Sequence, residues 1–128
     1  MPEQRDDPSI SDSELLWRRV HPFQIDWKVN PARVSSGAFN TANGLSVSIA
    51  SETTLTAITI KFPEDSVVQF EVSLARSLGC KIERDPTDDD ASHALVWGPK
   101  AHGRLSKTQM DNLRNACIPV HLSPPNES

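Results

Sequence analysis

Leu45-Ser46-Val47-Ser48-Ile49-Ala50 alternates apolar and small polar side chains over a full strand's length. Successive side chains of a strand point to opposite faces, so a period of two predicts a strand with one buried and one polar face. Ala42-Asn43-Gly44 just before it predicts a turn, because Asn and Gly tolerate positive φ. Downstream, Val68, Phe70 and Val72 alternate in the same way. Residues 80–84 read as a strand that ends at Asp85-Pro86, and 94–97 as a short strand closed by Gly98-Pro99. The stretch 53–62 is rich in Thr and Ile, β-branched types that favour a strand, with a helical turn as the alternative near Glu52.

Upstream, Leu15, Leu16, Trp17 and Val20 form an apolar segment ended by Pro22, too short for period alone to separate helix from strand. Residues 24–34 read as a loop or an edge element, with Phe23, Ile25 and Trp27 alternating. Two helices are expected. In 73–79, Leu74, Ala75 and Leu78 share a face and Gly79 suits a left-handed stop. The second begins at Ser106, which with Gln109 fits a capping box. Leu105 and Met110 stand where a hydrophobic staple would pack, Leu113 and Cys117 continue the period, and Pro119 stops it.

Short strands with two helices predict an α+β domain, its sheet mostly antiparallel or mixed, with a C-terminal helix and one shorter helix. The 128 residues fit one domain able to fold without metal or disulfide. Its expected limits are 13–122. Residues 1–12 hold little to bury and are expected as a disordered arm, and 123–128 as a disordered tail.

The net charge of −4 argues against a reader of nucleic-acid backbones, although Arg18, Arg19, Lys28 and Arg33 form a local basic patch. Cys80 and Cys117 stand in apolar settings without a CxxC pattern, so free, buried thiols are expected. No apolar run approaches the ~20 residues that span a bilayer, and the N-terminus lacks the blocks of a signal peptide. These features predict a soluble, cytoplasmic protein that does not engage a membrane.

Candidate functional residues fall in three polar clusters on the lips of probable strands. Arg18, Arg19 and His21 could hold an anion, since a guanidinium grips phosphate or carboxylate in two places. Ser35, Ser36 and Asn40 flank Gly37 in a loop that could wrap a ligand, although such side chains also satisfy their own backbone. His93 follows Asp88-Asp89-Asp90, and an acid-oriented histidine is the usual general base. It is equally suited to tying its loop down. Functional groups gather on loops held by a rigid scaffold, so Arg18, His21, His93 and the 35–40 loop are expected to converge on one side of the sheet. Removing Arg18 or His93 from such a surface site should cost little stability. The catalytic residues stay unassigned, because no nucleophile elbow or carboxylate pair is visible. His21, His93, His102 and His121 with the two cysteines match no zinc spacing, so no metal is expected.

Arg18-Arg19-Val20-His21-Pro22, Ser35-Ser36-Gly37-Ala38-Phe39, Leu45-Ser46-Val47, Asp85-Pro86 and His93-Ala94-Leu95-Val96-Trp97-Gly98 together resemble a group of small bacterial proteins of uncharacterised function. That resemblance spans most of residues 15–120 and implies an architecture rather than a chemistry. Leu16 to Val20, Gly37-Ala38-Phe39-Asn40, Gly44 and Ala50-Ser51 are similar to the opening of RES-domain toxins, which resemble ADP-ribosyltransferases and consume NAD. This second likeness covers about a third of the chain. It would place the family's first-strand arginine at Arg18 or Arg19 and its Trp-Asn pair at Phe39-Asn40. Its tyrosine would fall at 48–50, and this chain has no tyrosine. The expectation is a small binding or accessory protein acting with a protein partner and needing no cofactor. An NAD-binding or NAD-consuming enzyme is the alternative.

Overall fold

The computed structural model describes residues 6–29 and 32–124. The chain runs through β1 (Leu15–Val20), β2 (Ile25–Asp26), β3 (Arg33–Val34), β4 (Leu45–Ile49), α1 (Leu55–Lys61), β5 (Ser66–Glu71), α2 (Val72–Ser77), β6 (Lys81–Arg84), β7 (His93–Trp97), α3 (Lys107–Ala116) and β8 (Ile118–His121). Six strands form one sheet in the order β6-β7-β4-β1-β5-β8, and β2 and β3 form a separate ribbon. Every pairing is antiparallel, and the chain is a small α+β domain.

The alternation of β4 sets the layers. Leu45, Val47 and Ile49 are buried on an inner face, with Leu16 and Val20 of β1 and Ala94 and Val96 of β7. Helices α2 and α3 pack on that face, and Ala75 and Leu113 complete the core. The turn before β4 has positive φ at Asn43 and Gly44, as the sequence predicts. The capping box of α3 is also as predicted: Ser106 Oγ accepts from Gln109 N, and Gln109 Oε1 accepts from Ser106 N. The Gln109 side chain then donates to Leu78 O, joining α3 to the end of α2.

Three expectations change. The Thr- and Ile-rich stretch is helix α1, not a strand. Thr54 caps it by accepting from Ala57 N, and only Ile58 is buried, so the capped turn outweighs β-branched propensity. Residues 6–12, expected within a free arm, lie against the domain. Ile10 is 2% exposed, Asp7 N donates to Ile82 O, and Arg76 holds the carboxylates of Asp6 and Asp12. Residues 1–5 of that arm lie outside the described residues. Beyond α3 the chain resumes as edge strand β8 directly after the helix ends. Pro119 is tolerated there because an edge strand needs hydrogen bonds on one side only. Ser123, placed in the tail, donates to Pro63 O, while 125–128 fall outside the described residues.

Candidate functional site

The outer face of the sheet carries the polar positions of the alternating strands. Gln69, Trp17, Ser48 and His93 stand in register across β5, β1, β4 and β7, so their side chains form one row. Trp17 Nε1 donates to Gln69 Oε1 at 3.0 Å, which fixes the indole in the row. Trp17, Ser48 and His93 of this row floor a trough of about 370 Å³ with Arg19 and Ser46. One wall is α1 with Phe62, and the other is the 87–90 loop.

The walls differ in charge. Lys61 and Arg19 stand on the α1 side, and Asp89 and Asp90 on the loop side. Arg19 stacks 3.5 Å from the centroid of the Phe62 ring and pairs with Asp65 at 3.0 Å. Asp90 is fixed by Ser92, whose backbone N–H and hydroxyl both donate to Oδ1. The Ser46 and Ser48 hydroxyls have no protein partner among the described residues, and neither is a sealed-off polar atom. They are donors and acceptors open to a ligand.

The structure separates the clusters that the sequence suggested would meet. His93 and Arg19 reach the trough from the outer face. Arg18 also borders the trough, but it points its side chain to the inner face, being one residue out of phase with Trp17 and Arg19. Its Nε and Nη2 donate to Ala38 O and its Nη1 to Ser46 O, at 3.0–3.3 Å. Burial, with some help from the charge of Arg19, pulls its guanidinium down to about 10. The pairs between β1 and β4 stop at Trp17↔Ser48, so Arg18 bridges the strands beyond the last rung. Ser35, Ser36 and Asn40 belong to the 3₁₀ turn Ser36–Phe39 and its caps, which packs against α3 on the inner side. His21 caps the turn Pro22–Gln24, its Nδ1 accepting from Phe23 N at 3.2 Å. The expected single convergence of Arg18, His21, His93 and the 35–40 loop is therefore overturned: strand alternation puts Arg18 on the inner face and His93 on the outer one, and the 35–40 loop packs on the inner side.

His93 takes the loop-tying role. Its Nδ1 lies 2.9 Å from Asp85 O and 3.0 Å from the Asp85 carboxylate, joining the loop's start to β7. No hydroxyl or thiol of the described residues is hydrogen-bonded to it. Cys80 and Cys117 are free thiols, pushed up to about 11 by burial. Cys80 is buried and Cys117 only half-buried. Among the described residues no group of three or more His, Cys, Asp or Glu could hold a metal ion, and no helix is long and apolar enough to cross a membrane.

Ser46, Ser48, Lys61 and Phe62 escaped the sequence reading. Their signal was present in part: the polar positions of an alternating strand mark whatever its second face meets. Compared with family models, curated proteins and solved structures, the chain matches none.

Proposed function

We propose that this chain is a small non-catalytic binding or accessory protein, and that the outer-face trough is where a protein partner inserts a segment. The observation that carries the reading is the pair of unpartnered hydroxyls, Ser46 and Ser48, beside the fixed Trp17 indole on the floor. A rigid aromatic surface with adaptable hydroxyl donors is what polar recognition of a segment needs, and opposed charges on the two walls set its direction. His93 lacks a nucleophile partner, which favours binding over catalysis. The NAD-consuming alternative draws less support, because Arg18 spends three donors on protein carbonyls and Asn40 lies away from the trough.

The test uses Ser48→Trp, which fills the floor, and Asp89→Lys, which reverses one wall. Both sit on a solvent-reached surface and should melt with the wild type. A partner captured from the native host with the wild-type chain should then be titrated as a purified protein. Both variants should weaken it tenfold or more. Equal affinity for all three chains rules out the trough as the docking site. A calorimetric titration with NAD that shows saturable binding would restore the enzyme reading.

A further inference from the structure

A second cavity, of about 490 Å³, opens where the core meets the β8 edge. It lies between the β2–β3 ribbon, the end of α3 and strands β5 and β8. Ile25, Val34, Val68, Ile118, Pro119 and Leu122 line it. The ribbon is latched to α3 by Arg114 Nε donating to Val34 O at 3.1 Å and Arg33 Nη2 donating to Asn115 Oδ1 at 2.7 Å. These latches leave both guanidiniums on the lining without a salt bridge, although the hydrogen bond from Lys107 and, in lesser part, the charge of Arg114 hold the Asp111 carboxyl below its usual range.

Among the described arginines, Arg18, Arg33, Arg104 and Arg114 have no carboxylate within salt-bridge distance. Arg19, Arg76 and Arg84 each pair with a carboxylate. Arg33 and Arg114 pair with none among the described residues, yet both belong to the one largely apolar cavity. An apolar chamber rimmed by two unpaired cations complements an apolar chain that ends in an anion.

Three of the lining residues offer little to a peptide backbone. Pro119 has no N–H, Ile25 and Val34 are paired within the ribbon, and Val34 O already accepts from Arg114. A peptide entering here would bury its own N–H and C=O groups unpaired, which is costly, whereas a hydrocarbon chain has none to satisfy. We propose that this cavity binds a medium-chain carboxylate of the fatty-acid class, its tail against Val68 and Ile118 and its head against Arg33 and Arg114. The site is separate from the outer-face trough and does not depend on it.

The experiment titrates octanoate, decanoate and dodecanoate by calorimetry below their micellar concentrations, with 1-decanol and decyltrimethylammonium as neutral and cationic counterparts. Affinity should rise about fourfold per added methylene until the cavity is full. Decanol should bind about tenfold or more weakly than decanoate, and the cation weaker still. Arg33 is exposed, so Arg33→Gln should fold as the wild type does and lose about tenfold toward decanoate while leaving decanol unchanged. Cys117 lines the cavity, so decanoate should slow its labelling by a thiol reagent, and Ser48→Trp should bind decanoate as the wild type does. Equal binding of decanoate and decyltrimethylammonium overturns the proposal. So does affinity that ignores chain length, or Cys117 labelling that decanoate leaves unchanged. Protection of Cys117 by an acidic apolar peptide but not by decanoate would make this a peptide site and refute it equally.

Discussion

Arg18→Ala tests whether a residue with the look of an anion-binding arginine is in fact a fastener of the core. In the wild type its guanidinium serves two backbone carbonyls, Ala38 O twice and Ser46 O once. Removing it strands both acceptors on the inner side of the sheet. A buried polar group left without a partner costs about 1–3 kcal/mol, so two give about 2–6 kcal/mol. For a chain between the usual size classes that corresponds to a fall in Tm of roughly 6–24 °C. Arg18→Met isolates the cause, since it keeps most of the apolar stem and removes only the donors. It should recover a minor part of the loss. Both variants and the wild type are melted at pH 7 by circular dichroism. An alanine variant melting within about 3 °C of the wild type would refute the anchoring role, on the scale of ~1 kcal/mol. A methionine variant as stable as the wild type would place the contribution in packing rather than hydrogen bonds.

Leu113→Ala removes a fully buried side chain of α3 and should cost about 2–5 kcal/mol in urea unfolding, whereas His93→Ala, at the trough, should cost about 1 kcal/mol or less. Ile10→Ala should cost about 2–4 kcal/mol in the same assay, and no measurable change would mean that the N-terminal segment does not hold its place in solution. The two thiols make stability depend on pH at the alkaline end. Their pKa is raised from 9.0 to about 11 in the fold, so the unfolded chain loses these protons first, and their contribution is complete below pH 9 and lost as pH rises to about 11. Cys80→Ala with Cys117→Ala should flatten that decline in chemical denaturation at pH 8.5, 9.5 and 10.5, and equal slopes would count against it.

What the sequence revealed depended on how far apart the partners stand. β4 and α3 were readable because their signals are local: alternation at a period of two, and a capping box whose partners, Ser106 and Gln109, stand three positions apart. Helix α1 was misread because Thr and Ile propensity is a weak prior, and the cap at Thr54 looks like one more β-branched residue. The N-terminal segment was misread because its aspartates bind Arg76, across 64 and 70 residues of chain. Composition alone makes such a segment look unattached. The candidate site failed in a related way. Alternation puts Arg18 and Arg19 on opposite sides, but only the register could say that the core side was Arg18's and that the Ser48 hydroxyl would stand beside His93.

Both margins of the six-stranded sheet are closed by stretches near the chain's ends. At one margin, Ile82 has its carbonyl taken by Asp7 N at 2.8 Å and its N–H by Asp6 Oδ1 at 3.0 Å. At the other, β8 presents a proline. An open sheet edge is a template on which a second chain can add a strand, and fibre growth and precipitation begin there. Cleavage between Asp7 and Ile10 would strip the first guard while leaving all eight strands intact, and would open the β6 margin to pairing with a second copy while β8 stays guarded.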